Sequence, residues 1–159
     1  MSDLYEDDIL LWSERQGALL RRRAVGELVN DRELDWPNIA QEIESVGREQ
    51  LHAVESFLVQ ALAHRLKAAA WPSSHEVPGW LAEARRFSDD AGSRFVPSMR
   101  QRIDMAKVYR RALRAKPATI DGQPPLPVPQ TCGVTLDQLL GDQLLGDQLP
   151  GDEMLSDEA

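Results

Sequence analysis

Glu49 and His52 are the pair of residues whose spacing points most directly to metal chemistry. Three residues apart, they would lie on one face of a helix, as in carboxylate-bridged di-iron bundles, where two Glu-x-x-His pairs converge with two further glutamates. The sequence has no second Glu-x-x-His, and its only other histidines are His64 and His75. On one helix, His52 and His64 would stand about 18 Å apart along the axis. We therefore expect a solvated or capping His52, no metal centre and no cofactor.

Nucleophilic catalysis has equally little support in the sequence. Cys132 is the only cysteine, so it cannot close an intrachain disulfide, and no base neighbours it in its proline-rich segment. No serine has a Gly-x-Ser-x-Gly context, and no glycine-rich loop could hold a phosphate. We assign no catalytic residue and favour a protein that is not an enzyme.

The candidate polar site consists of Glu44, His64 and Lys67. His64 and Lys67 would share one region of a helix, and a glutamate such as Glu44 could reach them if the chain folds back. Such a group could bind an anion or serve as the site of an enzyme. The interpretation that we favour is that His64 and Lys67 line the end of a helical bundle, with the apolar stem of Lys67 covering Trp71.

The charges of the chain are separated along the sequence. Residues 1–116 contain 18 acidic and 18 basic residues, whereas residues 117–159 contain eight acidic residues and no basic one, so the net charge of −8 lies in the tail. Within the neutral part, residues 85–116 hold ten basic residues against three acidic ones. This basic segment contains a candidate basic face formed by Arg100, Lys107, Arg111 and Arg114.

The basic segment could bind nucleic acid, because lysine and arginine residues that neutralise phosphates supply most non-specific affinity. Its basic residues are spread around two predicted helices, however, and no exposed aromatic residues alternate with them for base stacking. We favour a solvated surface. We also expect the acidic tail to lie transiently on this segment, since tethering raises its local concentration to about millimolar.

Helical periodicity dominates the sequence and predicts an all-α fold, a single-domain bundle of four to five helices. A first helix is predicted from about Leu4 to Arg22, with Asp3 as its cap. A long helix begins after Asp35, with proline at its second position. Its apolar face comprises Ile39, Ile43, Val46, Val54, Phe57, Leu58, Ala61, Leu62 and Leu66. Gly47 leaves open whether this is one helix or two.

Two shorter helices and an extended segment are predicted after the long helix. One helix runs from about Trp80 and ends before Gly92, and the next opens at Pro97. Prolines at 117, 124, 125, 127 and 129 then predict an extended segment. Thr135 and Gln138 form a capping pair for a short final helix.

Three parts of the chain follow from these patterns: a helical bundle at 1–116, a proline-rich segment with a short helix at 117–140, and a loosely ordered acidic repeat tail at 141–159. The N-terminus resembles no secretory signal, and no window approaches the ~20 apolar residues that span a bilayer. With a single cysteine as well, the sequence predicts a cytoplasmic protein without a membrane role.

Several motifs together resemble one known family. They are Tyr5, Asp8, Leu11 and Trp12; Leu34, Asp35, Asn38, Ile39 and Ala40; Glu42, Ile43, Glu44, Ser45, Val46, Gly47 and Arg48; and His64, Arg65, Leu66 and Lys67. Over nearly its whole length the chain resembles the bacterial family called domain of unknown function 29, abundant in cyanobacteria. The resemblance implies a helical fold and no known reaction, ligand or partner.

The sequence therefore favours a non-enzymatic protein-interaction or regulatory module that binds a protein partner or a second copy of itself. The alternative is a nucleic-acid-associated regulator that uses residues 85–116. An enzyme that uses His64 and Lys67 is less favoured than either.

Overall fold

The computed structural model describes residues 3–141. These residues form six α-helices and two 3-10 turns, and none of them lies in a β-strand. The α-helices are α1 (Leu4–Asp7), α2 (Ile9–Ala24), α3 (Trp36–Ala70), α4 (Val77–Arg94), α5 (Met105–Ala115) and α6 (Leu136–Leu140). Four of them are long, and an extended proline-rich segment precedes α6, so the predicted all-α architecture is confirmed.

The chain divides into two compact units, Met1–Glu49 and Gln50–Ala159. Within residues 3–141, no helix combines the length and the apolar character that a membrane span requires. The division into parts at residues 116 and 140 stays a prediction. The acidic repeat tail from residue 142 onward, with its expected docking on the basic segment, lies outside the described residues.

The predicted first helix is in fact two helices, because Asp8 interrupts it. Asp8 has φ −152° and ψ 83°, outside the helical region, and its side chain accepts a hydrogen bond from the Leu11 amide. A capping aspartate takes a non-helical backbone conformation, so α1 ends and α2 begins here. Asp3 caps α1 by accepting from the Tyr5 amide.

α3 is one continuous helix of 35 residues that passes through Gly47. Asp35 precedes it and accepts a hydrogen bond from the Asn38 amide at 3.5 Å. The helix ends at Ala70, before Trp71 and Pro72. A mid-helix glycine costs about 1 kcal/mol, which the burial of several large side chains further along α3 outweighs.

The core of the second unit is built on the C-terminal half of α3. Val54, Leu58, Ala61 and Leu62 have no exposed surface. The buried residues of other elements in the same cluster are Ala91, Met99, Ile103, Val108, Tyr109, Ala112, Val134, Leu136 and Leu139. The predicted apolar face of the long helix is therefore buried from Val54 onward, apart from Phe57, which is half-buried.

Gly92 does not end α4, which continues to Arg94. A Cβ atom on Gly92 would lie 3.3 Å from the carbonyl oxygen of Leu140 in α6. The glycine therefore allows α6 to approach α4 closely. The sequence pattern predicted a helix end here because it could not show this tertiary contact.

α5 begins later than the sequence predicted. Pro97 opens only a 3-10 turn, Pro97–Met99, and the helix starts at Met105. Asp104 sets this start, because its side chain accepts hydrogen bonds from the amides of Ala106 and Lys107. One carboxylate thus satisfies two first-turn donors that have no partner within the helix.

Asp104→Ala should lower the free energy of unfolding by about 1 kcal/mol, the usual effect of a lost N-cap. The matched control is Asp89→Ala, which removes an exposed aspartate from α4. Urea denaturation followed by far-ultraviolet circular dichroism measures both variants. Equal stability of the two would contradict the capping role of Asp104.

Hydrogen bonds attach the extended proline-rich segment to the helices of the second unit. The segment reverses once, at Asp121 and Gly122, both of which have positive φ. The Leu126 amide donates to the Ala70 carbonyl at 2.8 Å. The indole of Trp71 donates to a backbone carbonyl of the turn at 3.0 Å. The predicted extended segment therefore covers the end of α3.

The segment reaches α6 through a second set of contacts. The buried Tyr109 donates from its hydroxyl to the Pro129 carbonyl at 2.6 Å. Thr135 and Gln138 form the predicted reciprocal capping pair at the start of α6. Leu139 of this short helix has no exposed surface, so the final turn of described chain is part of the core.

Candidate interaction surfaces

Polar contacts hold α2 against the start of α3 in the first unit. The buried indole of Trp12 donates to the Asp35 carboxylate at 3.0 Å, and the Gln16 side chain accepts from the Asp35 amide at 2.9 Å. The rings of Tyr5 and Trp12 meet edge to face, with centroids 4.9 Å apart. The Tyr5 hydroxyl donates to Glu42. These contacts determine which face of α3 points away from α2.

The pH dependence of the first unit should reflect Asp35. Hydrogen bonds from the Asn38 side chain and the Trp12 indole hold the pKa of Asp35 below its usual value, against the opposing effect of burial. A carboxyl group whose pKa is lowered by folding adds stability above its unfolded pKa of about 3.9, and this contribution is lost as the pH falls through the folded value.

We expect Asp35→Asn to reduce the loss of stability between about pH 5 and about pH 2.5. The control Asp7→Asn replaces an exposed aspartate of α1 and should leave that loss as it is in the wild type. Urea midpoints at the two pH values measure the difference. The same pH-dependent loss in both variants would contradict the role of Asp35.

The first unit carries most of the large apolar side chains that residues 3–141 leave exposed. Eight of the ten lie there, namely Ile9, Leu10, Leu11, Val25, Leu28, Trp36, Ile43 and Val46. Ile43 is 69% exposed and Val46 is 63% exposed, although both belong to the predicted apolar face of the long helix. They are exposed because the small cluster of Trp12, Leu34 and Ile39 covers only one side of α3.

We define the apolar stripe of α3 as Trp36, Ala40, Ile43 and Gly47. Their spacing of 4, 3 and 4 residues places them along one line of the helix surface. All four are exposed, and Val46 lies beside them. A Cβ atom on Gly47 would meet nothing within 4 Å. Large and small residues alternate along the stripe, so a second helix could place its side chains between them.

Two open grooves are lined in part by residues whose polar groups are already paired. A groove of about 450 Å³ in the first unit lies beside Trp12, Gln16 and Asp35, which bond to one another. A groove of about 420 Å³ in the second unit lies beside Trp71, whose indole is also paired. Neither groove presents a buried polar side chain that lacks a partner within the described chain.

His64 and Lys67 pack on aromatic rings of α4. His64 stacks on Phe87 with 5.6 Å between ring centroids, and Lys67 Nζ lies 5.1 Å from the ring centre of Trp80. The expected covering of Trp71 by the apolar stem of Lys67 stays a prediction. Burial and the charge of Lys67 lower the pKa of His64, so the imidazole is neutral at pH 7.

Glu44 lies in the first unit, where it pairs with Arg48 at 3.7 Å. It precedes His64 by twenty residues along α3, and His64 and Lys67 belong to the second unit. A site that joins all three stays a prediction. Glu49 and His52 are exposed, and within residues 3–141 no three His, Cys, Asp or Glu side chains are placed to hold a metal ion.

Cys132 is half-buried, and its thiol donates to the Val134 carbonyl at 3.2 Å. Burial raises the pKa of this thiol. Its thiolate fraction at neutral pH is therefore smaller than that of an ordinary cysteine. The surroundings of Cys132 do not activate it as a nucleophile.

α5 carries a basic face. Lys107, Arg111 and Arg114 share one side of the helix with Arg110, which lies outside the predicted face; Arg111 is half-buried and the other three are exposed. None of the four takes part in the ion pairs of the described chain. Arg100 precedes α5 and pairs with Asp137 at 2.8 Å, so its charge is partly compensated.

The family of the chain follows from residues 4–145, which match the profile of Domain of unknown function DUF29. The chain belongs to the DUF29 family. The resemblance inferred from its motifs is therefore confirmed. No curated protein matches this DUF29 protein.

A solved structure with a similar fold supports the helical architecture of this DUF29 protein. It is the crystal structure of an alpha-helical protein of unknown function from Rhodospirillum rubrum, with 26% sequence identity and a TM-score of 0.64. The match covers 92% of this chain and 94% of that chain. The family and this relative are both described as of unknown function, so function must be argued from the surfaces above.

Proposed function

We propose that this DUF29 protein is a non-enzymatic protein-interaction module that self-associates through the apolar stripe of α3. The observation that carries the proposal is the exposure of Ile43 and Val46 on a helix whose apolar spacing is typical of a buried face. Exposed apolar side chains grouped in this way mark interaction sites in many proteins. On the sequence grounds given above, the module would act in the cytoplasm.

The stripe has the chemistry of a helix–helix interface. Trp36 and Ile43 provide apolar area, and Ala40 and Gly47 provide shallow positions between them. Burying an exposed isoleucine-sized side chain contributes about 1.5–3 kcal/mol. Several such contacts, formed on both copies, would offset the loss of translational and rotational freedom on association.

A second copy of the chain suits this surface better than a strongly charged partner. The charged residues that flank the stripe, Glu44 and Arg48, pair with each other within α3. The flank therefore carries little net charge with which to repel its own copy. Two-fold pairing, which brings the same surface together from both copies, is also the commonest arrangement of homo-oligomers.

Ile43→Glu tests the proposal, because it places a charge at the centre of the stripe. We expect size-exclusion chromatography with light scattering to show a dimeric wild type and a monomeric variant at tens of micromolar. Burying an unpaired carboxylate in the interface would cost more than the lost apolar contact. Because position 43 is exposed within the unit, the helix content of the variant should not change.

The matched control is Leu28→Glu, which introduces the same charge at a position that is 98% exposed and lies outside α3. This variant should remain dimeric. A monomeric wild type, or an Ile43→Glu variant that dimerises like Leu28→Glu, would contradict self-association through the stripe.

The basic face of α5 supports a second candidate function, the binding of nucleic acid. Lys107 and Arg110 together with Arg111 and Arg114 present four positive charges without ion-pair partners among residues 3–141. Contacts between such residues and phosphates release counterions and make binding depend on salt.

Fluorescence anisotropy with a random DNA duplex at low and high salt tests this second candidate. The double variant Lys107→Glu with Arg111→Glu should weaken binding strongly, whereas Arg15→Glu, an exposed change in the first unit, should weaken it much less. Equal affinities of the two variants would show that α5 is not the binding surface.

A further inference from the structure

Three buried side-chain atoms among residues 3–141 lack a hydrogen-bond partner, and all three lie on α3 and α4 of the second unit. They are His64 Nδ1, Arg65 Nε and Ser88 Oγ. The two helices meet here, since His64 stacks on Phe87, and the next residues along each helix are Arg65 and Ser88. Buried polar groups in folded proteins are nearly always paired. A group of three unpaired ones therefore indicates a missing partner.

Of the three groups, Arg65 has the highest free-energy cost of burial without a partner. It is 6% exposed, and none of the ion pairs in the described part of the chain includes it. A guanidinium group stays charged in proteins, so its burial without a counter-charge is strongly unfavourable. Burial and the charge of Arg85 both lower the pKa of Arg65. Two positive groups are therefore close to each other, and no carboxylate of the described residues pairs with Arg65.

α4 brings further hydrogen-bond donors to this place. Arg85 and Ser88 are three residues apart, so they lie on the same side of α4. Arg85 is exposed, and its Nε donates weakly to the Leu81 carbonyl at 3.4 Å. Asp89, one turn further on, does not pair with it. The flat donor arrangement of arginine matches the oxygens of carboxylates and phosphates.

We propose that Arg65, Arg85 and Ser88 form a binding site for an oxyanion, either a carboxylate or a phosphate. Arg65 would supply the buried charge, Ser88 a hydroxyl donor, and Arg85 a second guanidinium at the surface. The site leaves out His64, which is neutral and stacked on an aromatic ring. Arg65 keeps 6% of its surface exposed, and in this proposal the anion contacts it there.

Two sources could supply this anion, and one of them is the chain itself. The tail has six carboxylates after Gly141, on Asp142, Asp147, Asp152, Glu153, Asp157 and Glu158. Leu140 lies against α4 at Gly92, one helical turn from Ser88. The tail therefore starts on the side of α4 that carries the site. Free phosphate is the other source.

Thermal unfolding of the full chain tests the site when the six tail carboxylates are changed to amides. The substitutions are Asp142→Asn, Asp147→Asn, Asp152→Asn, Glu153→Gln, Asp157→Asn and Glu158→Gln. In this neutral-tail chain, saturating inorganic phosphate should raise the melting temperature by about 2–4 °C relative to chloride of equal ionic strength. The wild type shows which source supplies the anion. If the tail occupies the site, the wild type in chloride melts at a higher temperature than the neutral-tail chain in chloride. If the tail does not occupy it, phosphate raises the melting temperature of both chains equally.

Arg65→Met in the neutral-tail chain should abolish the phosphate effect. Methionine is long and apolar, and replacing buried charge by such residues is often neutral or stabilising, so the variant should fold. Arg85→Met, at an exposed position, should reduce the effect, and Arg110→Met on α5 should preserve it. No phosphate effect in the neutral-tail chain, or the same effect with and without Arg65, would overturn the proposal.

Discussion

Leu62→Ala should lower the free energy of unfolding by about 2–5 kcal/mol. The Leu62 side chain has no exposed surface and lies in the cluster that α3 forms with α5 and α6. Truncation removes its transfer free energy and leaves a cavity that rigidly packed helices close only in part. Urea denaturation followed by far-ultraviolet circular dichroism measures the loss.

The matched control for Leu62→Ala is Gln60→Ala, two residues earlier on the exposed side of α3. Alanine is at least as good a helix former as glutamine, so the control should unfold at nearly the wild-type midpoint. A Leu62→Ala midpoint equal to that of the control would mean that residue 62 is not in the core.

Trp12→Ala should destabilise the first unit by about 3–5 kcal/mol. Trp12 is the centre of the only buried cluster described in that unit, which it forms with Leu34 and Ile39. Its ring also contacts Tyr5, and its indole donates to Asp35. Alanine would remove the packing and the hydrogen bond together. The loss should appear in a urea titration of the full chain.

Trp12→Phe separates the two contributions of Trp12. Phenylalanine keeps an aromatic ring beside Tyr5 but lacks the donor to Asp35. Because Asp35 keeps the hydrogen bonds from Asn38, the loss should be nearer to about 1 kcal/mol, the net value of a typical hydrogen bond. Equal losses for the alanine and phenylalanine variants would show that packing around Trp12 contributes little.

Helix ends that are fixed by neighbouring residues could be predicted from the sequence. Asp35 marked the start of α3, and Thr135 with Gln138 marked the start of α6. A hydrogen bond between residues three apart requires no knowledge of the rest of the fold. Asp8 shows the limit of such rules, because apolar periodicity continued across it and concealed the break between α1 and α2.

The apolar face of α3 could be predicted only in part. Periodicity shows which residues share a face, but it does not show which element covers that face. Val54 and Leu58 are covered by the other helices of the second unit. Ile43 and Val46 have the same spacing and are left exposed within the described chain. The difference arises from tertiary contacts. The exposure of Ile43 and Val46 is the main evidence for an interaction surface.

The candidate polar site shows the same division between local and tertiary information. His64 and Lys67 are neighbours because they are three residues apart on a helix. Glu44 could reach them only if the chain reversed between them, and the continuous α3 does not reverse. Arg65 entered the sequence analysis only as part of a family motif, and its burial was not predicted, since an arginine near the end of an apolar stretch is usually exposed. Its burial beside α4 is visible only in the fold.

Sedimentation equilibrium of the full-length wild type tests most directly whether the apolar stripe joins two copies. We expect an apparent mass that rises with concentration from the monomer value of 17.8 kDa towards twice that value. Ile43→Glu should keep the monomer mass throughout. A wild type that stays at 17.8 kDa at every concentration, up to hundreds of micromolar, would contradict self-association through the stripe.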